Sequence, residues 1–147
     1  MVGKVKLELV SPERILVAQE VDMVVVPGTE GNFGVLPGHA PLISSVRPGV
    51  IDVYQGSEIV ERIFVVGGFA EVTPLRCTVL ADAALPISAL DRDEAEAALA
   101  EARESLPAAR EAAAKEGAGE TERRELREAE RQFRIATAKL DALGTTH

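Results

Sequence analysis

Residues 50–80 read VIDVYQGSEIVERIFVVGGFAEVTPLRCTVL. Four apolar runs stand here, Val50 to Tyr54, Ile59 to Val66, Phe69 to Val72 and Cys77 to Leu80, separated by Gly56, Gly67-Gly68 and Pro74. Short β-rich runs bounded by turn residues are strands. Upstream, Val5, Leu7 and Leu9 alternate with Lys6 and Glu8 as a half-buried strand ended by Ser11-Pro12, and Val21 to Val26 is a buried run closed by Pro27-Gly28. Parallel strands would need crossover helices, and none fits between these runs, so an antiparallel all-β sandwich or flattened barrel is expected over residues 1–87.

The composition changes near Leu85 to Ala89, with Pro86 marking a linker, and residues 88–147 become rich in Ala, Glu, Arg and Leu. An antiparallel two-helix hairpin is expected there. Asp91 with Glu94 three residues on is a capping-box arrangement, and Ala95, Ala98, Leu99, Ala102 and Leu106 form an apolar stripe. Pro107 is expected to stop or kink this helix, with an Ala-rich stretch and the turn Gly117-Ala118-Gly119 following. The last helix is expected from about Glu120 to Leu143, with Leu126, Ala129, Phe133, Ala136, Leu140 and Leu143 as a heptad seam. Taking both helices together, about half of the facing apolar positions are Ala, whose burial contributes under ~1 kcal/mol against ~1.5–3 for Leu, so the hairpin is weakly held.

Hydrophobic residues are 46% of the 147 and charged residues 27%, a globular composition, while the absence of Trp, one Tyr and four Phe exclude a base-stacking platform. A formal charge of -8 disfavours nucleic acid, whose phosphates require clustered cations. The sandwich has ten acids and six bases and the hairpin fourteen and ten, so each nets -4. Cys77 is alone, which excludes an internal disulfide and suits a reducing compartment; with only His39 and His147 beside it, no metal set is expected. No apolar run approaches the ~20 residues of a membrane span, and no signal or transit segment is expected.

No catalytic constellation emerges. Ser44 and Ser45 lack a nucleophile-elbow context, Cys77 sits in an apolar strand, and Asp91, Asp93 and Glu94 open a helix. Gly67-Gly68 lacks the Lys-Ser/Thr and helix of a phosphate loop and reads as a tight turn or bulge. The chain is therefore expected to be non-enzymatic and cofactor-free. Two features remain. Residues 25–42 hold four Gly and three Pro, which fix successive turns around His39, either a loop-bonding histidine or an interface contact. Arg123, Arg127, Arg131 and Arg134 fall within a ~80° arc nearly opposite the heptad seam, either a solvated face with pairs such as Glu120 to Arg124 and Glu130 to Arg134, or a basic ridge for an acidic partner.

The stretch PGTEGNFGVLPGHAPL from Pro27 to Leu42, followed by Arg47-Pro48-Gly49-Val50, closely resembles the signature of the epsilon subunit of F-type ATP synthases. Val10-Ser11-Pro12, residues 67–72 and Thr78-Val79-Leu80-Ala81-Asp82 match as well, so the resemblance covers about residues 5–84; for the helices it is one of layout. It implies a non-catalytic rotor component joining the gamma shaft to the membrane ring of c subunits, peripheral on the cytoplasmic side of a bacterial inner membrane and touching the membrane only through the complex. By motif position Glu30, Gly31 and Asn32 would face the c-ring, and Ser11, His39 and Ala40 would face gamma. In the family the C-terminal helices extend toward the alpha/beta catalytic head and inhibit ATP hydrolysis; Arg123, Arg127, Arg131 and Arg134 are the corresponding basic face.

The alternative function is an ATP-sensing hairpin. Family members that bind ATP carry Ile/Leu-Asp-x-x-Arg-Ala, whereas residues 90–95 read Leu-Asp-Arg-Asp-Glu-Ala, with Glu94 where the arginine would stand. A carboxylate there repels a triphosphate and serves a helix cap.

Overall fold

The computed structural model describes residues 3–144. The chain forms two compact units that divide between Ala89 and Leu90.

The first unit is a ten-stranded sheet curled on itself. Its strands are β1 (Val5–Val10), β2 (Ile15–Val21), β3 (Met23–Gly28), β4 (Gly31–Val35), β5 (Leu42–Val46), β6 (Gly49–Gln55), β7 (Glu58–Val65), β8 (Gly68–Val72), β9 (Arg76–Ala81) and β10 (Ala84–Pro86), before a short 3-10 turn at Ile87–Ala89. They run in the order β10-β7-β6-β3-β5-β8-β9-β1-β2, with β4 added on β3. Alternation decides what lies inside: Val5, Leu7, Leu9, Val24, Val26, Ile51, Val53, Cys77 and Val79 are fully buried, while Lys6 and Glu61 face out. Burial pushes the Cys77 thiol up to about 12, which leaves it uncharged and unreactive inside the core.

Three sequence expectations change here. One pair is parallel, β1 with β9, because β2 through β8 make the return between them and no crossover helix is needed. The run Val21 to Val26 is two strands broken at Asp22, whose carboxylate accepts the Gly56 N–H and pairs with Lys4 at 3.0 Å. Those two partners, the Gly56 N–H foremost, hold the Asp22 carboxyl below its ordinary value. Pro86 is no linker: β10 pairs antiparallel with β7, Pro86 opposite Ile63, at the sheet edge where a missing N–H breaks no ladder.

The second unit is a helix pair, α1 (Arg92–Ala114) and α2 (Glu120–Gly144). Asp91 caps α1, its Oδ1 accepting the Glu94 N–H at 3.1 Å. Of the expected stop or kink at Pro107, the stop does not occur: α1 continues through it to Ala114. Arg103 and Pro107 lie on its exposed side, so water can satisfy the carbonyl that the proline leaves unbonded, while Leu106 stays buried. The α2 seam is only partly as expected. Ala136 is buried and Leu126, Ala129, Phe133, Leu140 and Leu143 are half-buried, yet Ile135 and Ala142, roughly opposite the seam at ~100° per residue, are buried too.

Candidate docking surfaces

The β3–β4 hairpin makes one tip. Gly28 stands opposite Gly31 in the register, leaving Thr29 and Glu30 as a two-residue turn, with Glu30, Gly31 and Asn32 together and exposed. Gly28 is required by close approach: a Cβ there would lie 2.8 Å from the Gly31 carbonyl oxygen and 3.0 Å from the Phe33 ring. Below the tip, the half-buried Arg47 donates from one guanidinium nitrogen to the Gly28 carbonyl and from the other to Asn32 Oδ1 at 2.6 Å. Its backbone N–H donates to the Pro27 carbonyl at 2.9 Å.

The three residues expected to face gamma are not gathered at one point. His39 and Ala40 precede β5, where the His39 N–H closes a turn onto Leu36 O at 3.1 Å and the ring Nδ1 lies 2.6 Å from the Ala40 carbonyl. The imidazole therefore bonds its own loop backbone. Ser11 follows β1 and turns onto Arg14, whose carbonyl accepts both its N–H (2.9 Å) and its hydroxyl (3.3 Å). The register Ser45–Phe69–Leu80–Val10 puts Ser11 level with the C-terminal end of β5, whereas His39 is at its N-terminal end. They therefore lie toward opposite ends of the β5-β8-β9-β1 part of the sheet, whose outer face runs between them.

That face holds what the sequence reading missed. Phe69 opposes Leu80, Leu80 opposes Val10, and Val10 opposes Ile15, so one cross-strand row carries four apolar side chains. Phe69 is 58% exposed, Leu80 55% and Ile15 62%, with Ile43 at 72% on the same side, two residues before Ser45, the β5 partner of Phe69. Only the pairing register brings these residues into line. At the Ile15 end of the row, a cleft of about 670 Å³ lies where the curled sheet stays open between β2 and β10, its walls including Ile15, Leu16, Val17, Leu85 and Ile87.

In the helical unit the four arginines differ. Glu120 takes Arg127 at 2.6 Å and Arg123 at 3.6 Å in place of the expected Arg124. Arg131 is half-buried, and Arg134 lines a cleft of about 350 Å³ with Arg103, Arg110 and Phe133. Chiefly through the Arg127 hydrogen bond, the Glu120 carboxyl is held below its ordinary 4.5. Glu122 is lowered as well, because its Oε2 accepts the Gly119 N–H at 2.8 Å, the N3 half of a capping box. Lowered carboxyl values stabilise the start of α2 above pH 4.5, and that contribution is lost as the pH falls below it. Relative to its intrinsic exchange rate at each pH, the Gly119 N–H should lose protection between pH 5 and pH 3, and Glu122→Gln should flatten most of that change; an unaltered protection profile in the variant would refute the cap.

Among the described residues no three His, Cys, Asp or Glu side chains converge on a metal position, and no helix is long and apolar enough to cross a membrane. His147 lies outside the described residues.

The family model described as ATP synthase, Delta/Epsilon chain, beta-sandwich domain matches residues 4–87. The ATP synthase epsilon chain of Rhodospirillum rubrum is 55% identical over 106 residues, 72% of this chain and 79% of that one. That of Rhodospirillum centenum is 47% identical over 150 aligned positions, 99% of this chain and 95% of its own length. Among solved structures, a chain of the Euglena gracilis mitochondrial ATP synthase, OSCP/F1/c-ring, superposes with a TM-score of 0.77 at 22% identity, over 96% of this chain and 82% of that one. A chain from the Tetrahymena thermophila mitochondrial ATP synthase central stalk/c-ring gives 0.56 at 13% identity, over 91% and 94%. At such identities these two likenesses speak for the fold alone.

Proposed function

Because the chain belongs to the delta/epsilon-chain family of the ATP synthases, we propose that it is a non-catalytic central-stalk subunit that couples gamma to the c-ring during proton-driven ATP synthesis. The observation that carries this is the apolar row of exposed Phe69, Leu80 and Ile15 with the half-buried Val10, on the outer sheet face beside Ser11. Apolar side chains aligned on an outer sheet face mark a protein-binding surface. A gamma subunit seated along that face reaches Ser11 at one end of the strands and the loop of His39 and Ala40 at the other.

The hairpin tip Glu30, Gly31 and Asn32 then meets the polar loops of the c-ring. The sandwich, residues 1–87, suits force transmission because its hydrogen-bonded strands deform little. The hairpin, residues 88–147, is the regulatory part: its alanine-rich contacts favour release toward the alpha/beta head, where Arg123, Arg127, Arg131 and Arg134 meet an acidic segment and slow ATP hydrolysis. For Arg123 and Arg127 this requires exchanging Glu120 for the partner's carboxylates, a small cost at an exposed pair. The subunit sits peripherally on the cytoplasmic side of a bacterial inner membrane.

Titration of the full chain with purified gamma should give a one-to-one complex, and failure to associate would overturn the coupling role. In the reconstituted enzyme, ending the chain at Ala89 should leave gamma binding intact and raise ATP hydrolysis several-fold. Unchanged hydrolysis would remove the inhibitory role alone.

A further inference from the structure

We infer that Arg47 is the positioning residue of the c-ring contact, a brace that fixes the orientation of the hairpin tip; this rests on the tip facing the ring. The geometry is specific. The guanidinium fork reaches the Gly28 carbonyl on one side of the two-residue turn and Asn32 Oδ1 on the other, so a single rigid plane spans the neck of the hairpin. The Arg47 N–H to Pro27 and the Thr29 N–H to Ser45, at 2.9 and 3.0 Å, tie the same neck to the end of β5. On the β6 side, a Cβ at Gly49 would come within 2.9 Å of Pro27 Cβ, so the backbone after Arg47 is packed directly against the hairpin base.

Among the described residues no carboxylate lies within ion-pair range of Arg47, so its hydrogen-bonding capacity is directed at the neck rather than at a surface acid. β3 meets β5 at the single pair Gly28 with Val46, but β4 pairs only with β3, so the β4 side of the tip, where Asn32 stands, would otherwise be held by its own hairpin alone. Such a ribbon twists easily, and a contact that passes torque must not. Sideways load on Asn32 is instead carried through the guanidinium into the β5–β6 connection and the body of the sheet.

The test uses the full chain in complex with gamma, titrated against detergent-solubilised c-ring, with gamma affinity and thermal midpoint measured on the same variants. Arg47→Ala should weaken ring binding about tenfold, the scale of losing charge-assisted hydrogen bonds. Gamma affinity should remain unchanged. Arg47→Lys should fall between, because an ammonium lacks the planar fork. Arg47→Ala and Asn32→Ala should be coupled, the double variant losing clearly less ring affinity than the sum of the two single losses, because both remove the same hydrogen bond. Fully additive losses, or an equal loss of gamma affinity, would overturn the brace. Glu30→Arg separates the two ideas: if it changes ring affinity while Arg47→Ala does not, the brace is wrong, and if it changes nothing, the tip does not face the ring.

Discussion

Phe69→Glu with Leu80→Glu is expected to weaken binding to gamma by at least about a thousandfold while leaving the chain folded. Both side chains point outward, 58% and 55% exposed, so neither belongs to the core, and their exchange removes little that folding had buried. The two new carboxylates stand opposite one another across β8 and β9, which costs the free chain up to ~1 kcal/mol. In the complex both would be taken out of water against an apolar partner. An unpaired buried charge costs several kcal/mol, and two exceed the ~4 kcal/mol that a thousandfold change represents. Phe69→Gln with Leu80→Gln carries the same shape change without charge and should lose far less. Ile59→Glu with Val60→Glu alters apolar residues on β7 that are also exposed, 44% and 48%, and should leave gamma affinity as it is. Binding of the first variant within threefold of the parent would place gamma elsewhere.

The visibility of that row depends on register, which explains why the sequence reading passed over it. Local alternation reveals a strand's two faces, as Val5, Leu7 and Leu9 do, but not which residue of a distant strand lies alongside. Phe69, Leu80, Val10 and Ile15 become neighbours only when β1 pairs with β9, a contact between segments about seventy residues apart. Arg47 was hidden for a related reason: one of its acceptors is a backbone carbonyl, which leaves no trace in residue type. The strands legible in advance were those with clean alternation or buried runs, β1, β3 and β6 through β9. Those missed were β2, an edge strand of irregular exposure, β4 and β5, whose Gly and Ser read as loop, and β10, which ends in proline. The extent of α2 and the start of α1 were legible, because capping and apolar spacing act locally, whereas α1 runs on past Pro107 to Ala114. Which faces become buried depends on neighbours, and so Ile135 and Ala142 fell outside the expected seam.

Gly68→Ala should destabilise the sandwich by more than ~4 kcal/mol, a large share of the 5–15 kcal/mol typical of a native domain. Gly68 opens β8 with φ +141°, a conformation closed to residues bearing a Cβ, and it is directly paired with Ala81 of β9. A Cβ built there would sit 2.0 Å from the Leu80 carbonyl oxygen and 3.0 Å from Ala81 Cα, both backbone atoms of the adjoining strand. No rotamer can relieve that overlap, so the β8–β9 ladder itself must separate. Ala70 and Val79, paired in that ladder and both fully buried, would be drawn apart with it. Gly34→Ala in β4 is the matched control, since its nearest contact beyond its chain neighbours would be the Met23 sulfur at an ordinary 3.7 Å. The thermal midpoint of Gly68→Ala should fall by ~10 °C or more and that of Gly34→Ala by little. Because Gly68 also sets the position of Phe69 opposite Leu80, any folded fraction should bind gamma weakly as well. A Gly68→Ala chain that melts and binds like the parent would mean that β8 can leave β9 without loss, and the apolar row would then not be a fixed surface.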